Sequence, residues 1–319
     1  MTAETENLIT AKQIALMKTT TRIINCARGG IVNEKDLAAA LKEKRIAGAA
    51  LDVFTTEPFN EDFFEGLDNC VLTPHLGAST GEAQDAVAIE AAQAVMQFFS
   101  EGICNNAVNL VGADQKTWQE FKPHISLAEH LGALATQLGA GGLSKIIFCS
   151  SKEMPRLLTL ASLKGAFNTI TDANITLVNA EKFAQERGTS VGSEVSTLDQ
   201  DLRDAIGVKV FSNAGETQVW GKVLADGTLK IIRCWDYRVD IDPEGYILFI
   251  HNEDTPGVIG KVCTILGENK VNIAEMQNVR KHKGAEALTI IGVDEEIPAK
   301  TLEQIAQEKA IKEVKLVKL

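Results

Sequence analysis

Short runs of apolar and β-branched residues alternate with helical patterns over the first hundred residues. RIINCA, AALDVF and NCVLTPH each predict a buried strand of a parallel sheet. NEKDLAAALKEKRI predicts the helix between the first two strands, which gives the order βαβ. Ser79 and Glu82 form a capping-box pattern before an Ala-rich helix over EAQDAVAIEAAQAVMQFF. The fold class predicted for this part of the chain is α/β.

The pattern changes beyond this helix. Over residues 106–243, helices at SLAEHLGALATQL and PRLLTLASLKGAF mix with strands at KIIFCS, NITLVN, GVKVFSN, TQVWGKVL and TLKIIRCW. Over residues 244–319 the predicted order is βαββαβ, which is ferredoxin-like. We therefore expect three domains, with residues 1–105 in an α/β domain, 106–243 in an α+β domain and 244–319 in a ferredoxin-like domain.

Composition narrows the classes of function. A formal net charge of -11 argues against a nucleic-acid surface, because neutralising phosphates requires clustered Lys and Arg. The sequence has no run of 18 apolar residues and no signal-peptide pattern, which predicts a cytoplasmic protein with no membrane partner. The six cysteines include no C-x-x-C pair, so we expect reduced thiols and no structural metal.

Three polar residues follow the predicted strands at the edge where parallel sheets bind ligands: Arg28, Glu57 and His75. Alone, each has a plainer interpretation, as a surface ion pair, a turn carboxylate and a hydrogen-bonded histidine at a helix entrance. Together they can hold a carboxylate, orient an imidazole and move a proton. Those are the groups needed to oxidise an alcohol next to a carboxylate.

NCARGGIV, GAALDVFTTEP and VLTPHLGAST resemble successive signature motifs of the D-isomer-specific 2-hydroxyacid dehydrogenases. The resemblance implies that His75 is the general acid/base, that Glu57 pairs with it, and that Arg28 holds the substrate carboxylate. It also implies NAD as cofactor, bound by Asp52 through the nicotinamide carboxamide. The backbone of Cys26, Ala27 and Arg28, together with His75 and Gly77, would line the ring. The alternative for Asp52 is a helix or turn cap.

A dinucleotide-binding unit opens with G-x-G-x-x-G between a strand and a helix, and nothing before NCARGG fits that motif. Gly139, Gly141 and Gly142 follow a predicted helix and precede a strand, so they are interpreted as a helix end and turn. The expected sheet is therefore a partial Rossmann-like parallel sheet. We expect the chain to begin inside the nucleotide domain and to be inactive alone.

FIHNEDTPGVIGKVCTILGENKVNIAEMQ resembles an ACT domain, a module that binds small amino acids at interfaces between paired copies. The resemblance implies that Asn252, Asp254 and Asn272 receive L-serine as effector, and that ACT domains pair to form a homo-oligomer. The alternative is that Asn252 and Asp254 initiate a turn while Asn272 caps a loop.

The α+β segment resembles the intervening, allosteric substrate-binding-like domain found between these two parts in one long-form branch of the family. That branch implies NAD-dependent oxidation of 3-phosphoglycerate in L-serine biosynthesis, with feedback regulation by L-serine. The competing hypothesis is a non-enzymatic amino-acid-binding regulatory module that retains the catalytic motifs only by inheritance.

Overall fold

The structure is a computed structural model that describes residues 2–101, 115–195, 202–284 and 286–319. The chain folds into two compact units, Met1–Gln97 and Phe98–Leu319. The expected domain boundary between residues 105 and 106 lies outside the described residues.

The first unit is built on a small parallel sheet. Its elements are α1 (Ala11–Ile14), β1 (Arg22–Asn25), α2 (Glu34–Lys42), β2 (Gly48–Leu51), β3 (Cys70–Leu72) and α3 (Gly81–Glu101). The three strands are parallel and lie in the order β1-β2-β3, which confirms the predicted βαβ order. Leu37 and Leu41 of α2 are almost fully buried, as are Ile14, Leu51 and Phe64 around it.

Helix α3 begins one residue later than the predicted capping box requires. The Thr80 hydroxyl accepts a hydrogen bond from the Ala83 backbone N–H at 3.2 Å, so Thr80 is the cap. The Ser79 N–H instead donates to the Leu76 carbonyl, which places Ser79 in the preceding turn. The capping box predicted from Ser79 and Glu82 is therefore wrong, because the turn after His75 uses Ser79 first.

The second unit begins with a helical pair and a mixed sheet. Its first elements are α4 (Gln115–Leu138), β4 (Leu143–Ser150), α5 (Arg156–Asn168), α6 (Ala180–Glu186), β5 (Ser190–Val195), β6 (Ile206–Ser212), β7 (Gly215–Val223), β8 (Leu229–Cys234) and β9 (Tyr237–Ile241). Helix α4 packs against α5, with Gly132 close to the Ser162 backbone. The turn at 139–142 joins α4 to β4, which confirms the interpretation of its glycines. The six strands lie in the order β5-β4-β6-β7-β8-β9.

The strand predicted at NITLVN does not form. The Asn179 side-chain oxygen accepts a hydrogen bond from the Thr176 N–H at 2.7 Å, which closes a local turn before α6. Ile175 alone is buried there, at 2% exposure. The prediction is wrong because short polar side chains satisfied the backbone locally in place of a sheet partner.

The last segment has the architecture that the ferredoxin-like prediction requires. Its elements are β10 (Tyr246–Glu253), α7 (Val258–Glu268), β11 (Ile273–Arg280), β12 (Glu286–Val293), α8 (Ala299–Ala306) and β13 (Ile311–Lys318). The strands form an antiparallel sheet in the order β11-β12-β10-β13, with the two helices on one face. Leu248 and Ile250 point to those helices, whereas Ile247, Phe249 and Leu288 share a core with the six-stranded sheet. Within the described residues, no helix is both long enough and apolar enough to cross a bilayer.

Candidate active site and effector site

The candidate catalytic residues lie at the carboxyl edge of the parallel sheet. Arg28 follows β1, Glu57 lies in the loop after β2, and His75 follows β3. Because the three strands are parallel and adjacent, their carboxyl ends meet at one edge. A pocket at this edge is lined by Glu57 and His75 and by the apolar side chains of Phe54, Pro58, Phe59 and Leu72.

Glu57 and His75 form a direct pair. His75 Nδ1 lies 2.8 Å from Glu57 Oε2, while Glu57 Oε1 accepts the Phe54 backbone N–H at 3.0 Å. The hydrogen bond from His75, followed by the one from Phe54, lowers the pKa of the Glu57 carboxyl. An ionised Glu57 accepts the Nδ1 proton, which leaves Nε2 as the free ring nitrogen of a neutral His75.

Asp52 holds the turn that carries His75. Its Oδ1 accepts the Thr73 hydroxyl at 2.5 Å and the Leu76 N–H at 2.7 Å, so it bonds on both sides of the histidine. These bonds, with that of Thr73 first, lower the pKa of the Asp52 carboxyl. His75 itself has a left-handed φ of 57°. A histidine in that region is conformationally costly and needs such outside support.

The loop after β1 is fixed by Asn25, whose side chain is buried. Asn25 Nδ2 donates to the Arg28 carbonyl at 3.0 Å, and its Oδ1 accepts the Ala27 N–H at 3.1 Å. The Arg28 guanidinium donates to the Ala27 carbonyl at 2.7 Å through Nη1. Arg28 is exposed, so its other N–H groups face solvent at the sheet edge.

The residues implied for NAD fit the nicotinamide end of that cofactor. Asp52 Oδ2 accepts the Gly77 N–H at 2.8 Å, and a carboxylate oxygen has a second lone pair for another donor. A Cβ on Gly77 would lie 3.1 Å from the same Oδ2, so only glycine leaves that oxygen open to an approaching amide. Cys26 and Ala27 are exposed at the neighbouring turn.

The structure places two of the three predicted effector residues together. Asp254 follows β10 immediately, and Asn252 lies in β10 with 2% exposure, where its Oδ1 accepts the Thr289 hydroxyl at 2.8 Å. Asn272 precedes β11 and donates to Asp294 at 2.6 Å. The strand register aligns Ile273, the neighbour of Asn272, with Val293 and Tyr246 at one end of the sheet. Asn252 lies six residues from Tyr246 along β10, so it is about 20 Å from that end at about 3.3 Å per residue.

Comparison with known proteins agrees with this architecture. The NAD-binding domain model of the D-isomer-specific 2-hydroxyacid dehydrogenases matches residues 1–77. Residues 120–234 match the D-3-phosphoglycerate dehydrogenase intervening domain, and residues 246–310 match the ACT domain. Over these ranges the chain is therefore similar to three domain families in succession.

Several relatives align with the whole chain. Proteins named D-3-phosphoglycerate dehydrogenase from Synechocystis and from Methanocaldococcus jannaschii are each 36% identical to it over its full length. The protein of that name from Bacillus subtilis is 34% identical. The chain spans 58%, 61% and 62% of these three relatives, respectively.

Sequence reasoning missed the residues that support the site at the sheet edge. Asn25 and Thr73 end or follow strands, and polar residues at such positions are the available signal. Gly29 packs so closely that a Cβ there would lie 1.9 Å from the Phe54 carbonyl carbon, and the glycine itself is its signal. In the ACT domain, Arg280 reaches Asp254 from 26 residues along the chain, a contact that no local pattern indicates.

Proposed function

We propose that this chain forms part of an NAD-dependent D-3-phosphoglycerate dehydrogenase, which oxidises 3-phospho-D-glycerate to 3-phosphohydroxypyruvate in the first step of L-serine biosynthesis. The observation that carries the proposal is the 2.8 Å pair of His75 and Glu57 at the carboxyl edge of the sheet. The relatives that bear this name support the choice of substrate.

In the proposed reaction, Arg28 binds the substrate carboxylate with its guanidinium, which suits the planar geometry of that anion. His75 Nε2 takes the proton of the C2 hydroxyl, and Glu57 stabilises the imidazolium that results. NAD, when bound, would supply the acceptor for the hydride that leaves C2. Asp52 Oδ2 would orient the carboxamide of that ring, while the open side of Gly77 admits it.

L-serine is the proposed effector, and the ACT domain is its proposed site. Asp254 offers an acceptor for the ammonium group, beside the start of α7. Since Asn272 lies about 20 Å from Asn252, the two can share one ligand only if Asn272 comes from a second copy of the chain. This separation supports a homo-oligomer paired through ACT domains.

A second candidate function is an amino-acid-binding regulatory module without dehydrogenase activity. It is favoured by the ACT match over residues 246–310, where Asn252 and Asp254 lie together at the end of β10. In that case the 319 residues bind L-serine without binding NAD. Separate titrations with the two ligands by isothermal calorimetry distinguish these functions.

The dehydrogenase is tested by joining these 319 residues to the part of the Synechocystis relative that the chain does not span. We expect the chimera to form NADH from 3-phosphoglycerate, measured by absorbance, and the 319 residues alone to form none. His75→Gln in the chimera should lower kcat roughly 100-fold to 10,000-fold, the usual contribution of a general base.

His282→Gln is the matched control, because His282 lies in the exposed turn after β11, in a different unit of the chain. It should leave kcat unchanged. A folded chimera in which His75→Gln leaves NADH formation unchanged would exclude His75 as the base. NADH formation by the 319 residues alone would show that the expected inactivity is wrong.

A further inference from the structure

The ACT domain contains an ion pair that involves Asp254, one of the residues proposed to bind the effector. Arg280 Nη1 lies 2.5 Å from Asp254 Oδ2, and the Gly284 N–H approaches the same oxygen at 3.4 Å. The guanidinium lowers the pKa of the Asp254 carboxyl. The Asp254 side chain is 18% exposed and the Arg280 side chain 49%, so the pair lies at the mouth of the site.

The Arg280 side chain crosses the neighbouring strand β12 to contact Asp254, and it passes over Ala287 there. The strand register aligns Arg280 with Ala287, and Ala287 with Asn252, in one row across β11, β12 and β10. Two strand spacings separate the ends of this row, about 9.6 Å. Ala287 is fully buried and has no long side chain to block the space between. The guanidinium therefore lies above the row, on the face that carries α7.

A pocket opens beside the pair. Its lining includes Asp254, Gly257, Gly260, Arg280 and Lys283. Among the described residues, no side chain caps the start of α7, where Gly257 takes a left-handed φ of 93°. The first N–H groups of a helix without a side-chain cap favour an anion. One carboxylate, a guanidinium, an ammonium and these donors thus surround a single cavity.

Separating the pair without replacement would leave Asp254, whose side chain is only 18% exposed, with the Gly284 N–H at 3.4 Å as its remaining partner, whereas water can solvate the more exposed Arg280. An amine alone satisfies only Asp254, and a carboxylate alone satisfies only Arg280. An α-amino acid satisfies both, because it carries an ammonium and a carboxylate on one carbon. The pair therefore selects for zwitterions.

We propose that Arg280 is a specificity-determining residue of the effector site, a step that rests on the proposed serine binding. The effector's ammonium takes the place of Arg280 on Asp254, and the released guanidinium binds the effector's α-carboxylate. The Asp254–Arg280 pair thus closes the ligand-free site and opens only for an amino acid.

The test is isothermal calorimetry on the 319-residue chain with L-serine and with ethanolamine, which is serine without its carboxylate. Wild type should bind serine and bind ethanolamine at least about tenfold more weakly. Arg280→Gln should weaken serine binding roughly tenfold to hundredfold, the effect of losing a charged hydrogen bond. The same variant should strengthen ethanolamine binding, because Asp254 loses its competitor.

Lys281→Gln is the matched control, since the Lys281 ammonium pairs with Asp236 at 2.8 Å and is not in the pocket lining. It should bind both probes as wild type does. Unchanged or tighter serine binding by Arg280→Gln overturns the exchange of partners while leaving the effector site standing. A wild-type chain that binds no serine rejects the effector assignment itself.

Discussion

Gly29 lies where the loop after β1 crosses the backbone that follows β2. A Cβ added there would come within 1.9 Å of both the carbonyl carbon and the carbonyl oxygen of Phe54. The obstruction is backbone, so it cannot rotate away as a side chain would. This contact keeps the Arg28 loop against the Glu57 loop, and the relative placement of the two side chains depends on it.

Gly29→Ala should therefore destabilise the first unit by about 1–3 kcal/mol, the usual range for forced overpacking. Hydrogen exchange measured by mass spectrometry should be faster over residues 22–77. Gly81→Ala is the control, because a Cβ at the start of α3 meets nothing within 4 Å. It should cost no stability. Equal exchange rates in Gly29→Ala and wild type would show that the loops are free to separate.

The Asp52 carboxylate connects two elements, because its hydrogen bonds join the end of β2 to the turn after β3. Its folded pKa is lowered, so the stability that it contributes is full above its ordinary pKa, about 3.9. That contribution is lost as pH falls through the folded pKa. Glu57 has a lowered pKa as well and acts in the same direction.

Asp52→Asn should lower the thermal midpoint of the first unit at about pH 7, and the gap to wild type should narrow at about pH 3. Scanning calorimetry measures both midpoints. Asp62→Asn, which changes an exposed carboxylate of the same unit, should leave the midpoint unchanged at about pH 7. A gap that is constant across this pH range would mean that the Asp52 charge does not hold the turn.

These elements also show what the sequence could predict. The pattern of apolar residues was sufficient for α2 and β2, because each contributes a continuous buried face. Strands β1 and β3 also form, but the prediction that they are buried is wrong, since Ile24 is 73% exposed and Val71 62%. It failed at NITLVN, where the local bond from Thr176 to Asn179 forms a turn. The pairing of His75 with Glu57 followed only from the family motifs, since an 18-residue separation is not a local pattern. The Asp254–Arg280 pair spans 26 residues and no motif indicated it.

At the scale of the whole second unit, the ACT sheet and the six-stranded sheet share one hydrophobic core. Phe249 and Val317 belong to the same buried cluster as Leu127 and Ile231. The Gln137 side chain bonds both the N–H and the carbonyl of Lys318, at 3.0 and 2.9 Å. Such a continuous core favours a single cooperative unfolding transition over two separate ones.

The test uses a Trp235→Phe background, because the Trp235 ring lies 4.7 Å from that of His251 in the ACT sheet. The remaining tryptophans, Trp118 and Trp220, precede the ACT domain, so their fluorescence reports unfolding of the other part of this unit. Leu248→Ala removes a fully buried side chain from the ACT core beneath α7, which typically costs about 2–5 kcal/mol. In urea, the tryptophan-detected midpoint should fall together with the midpoint from circular dichroism. Leu224→Ala, at a site 43% exposed, should shift neither. A tryptophan transition unmoved by Leu248→Ala would mean that the two sheets unfold independently, and effector binding at Asp254 could not then stabilise the six-stranded sheet.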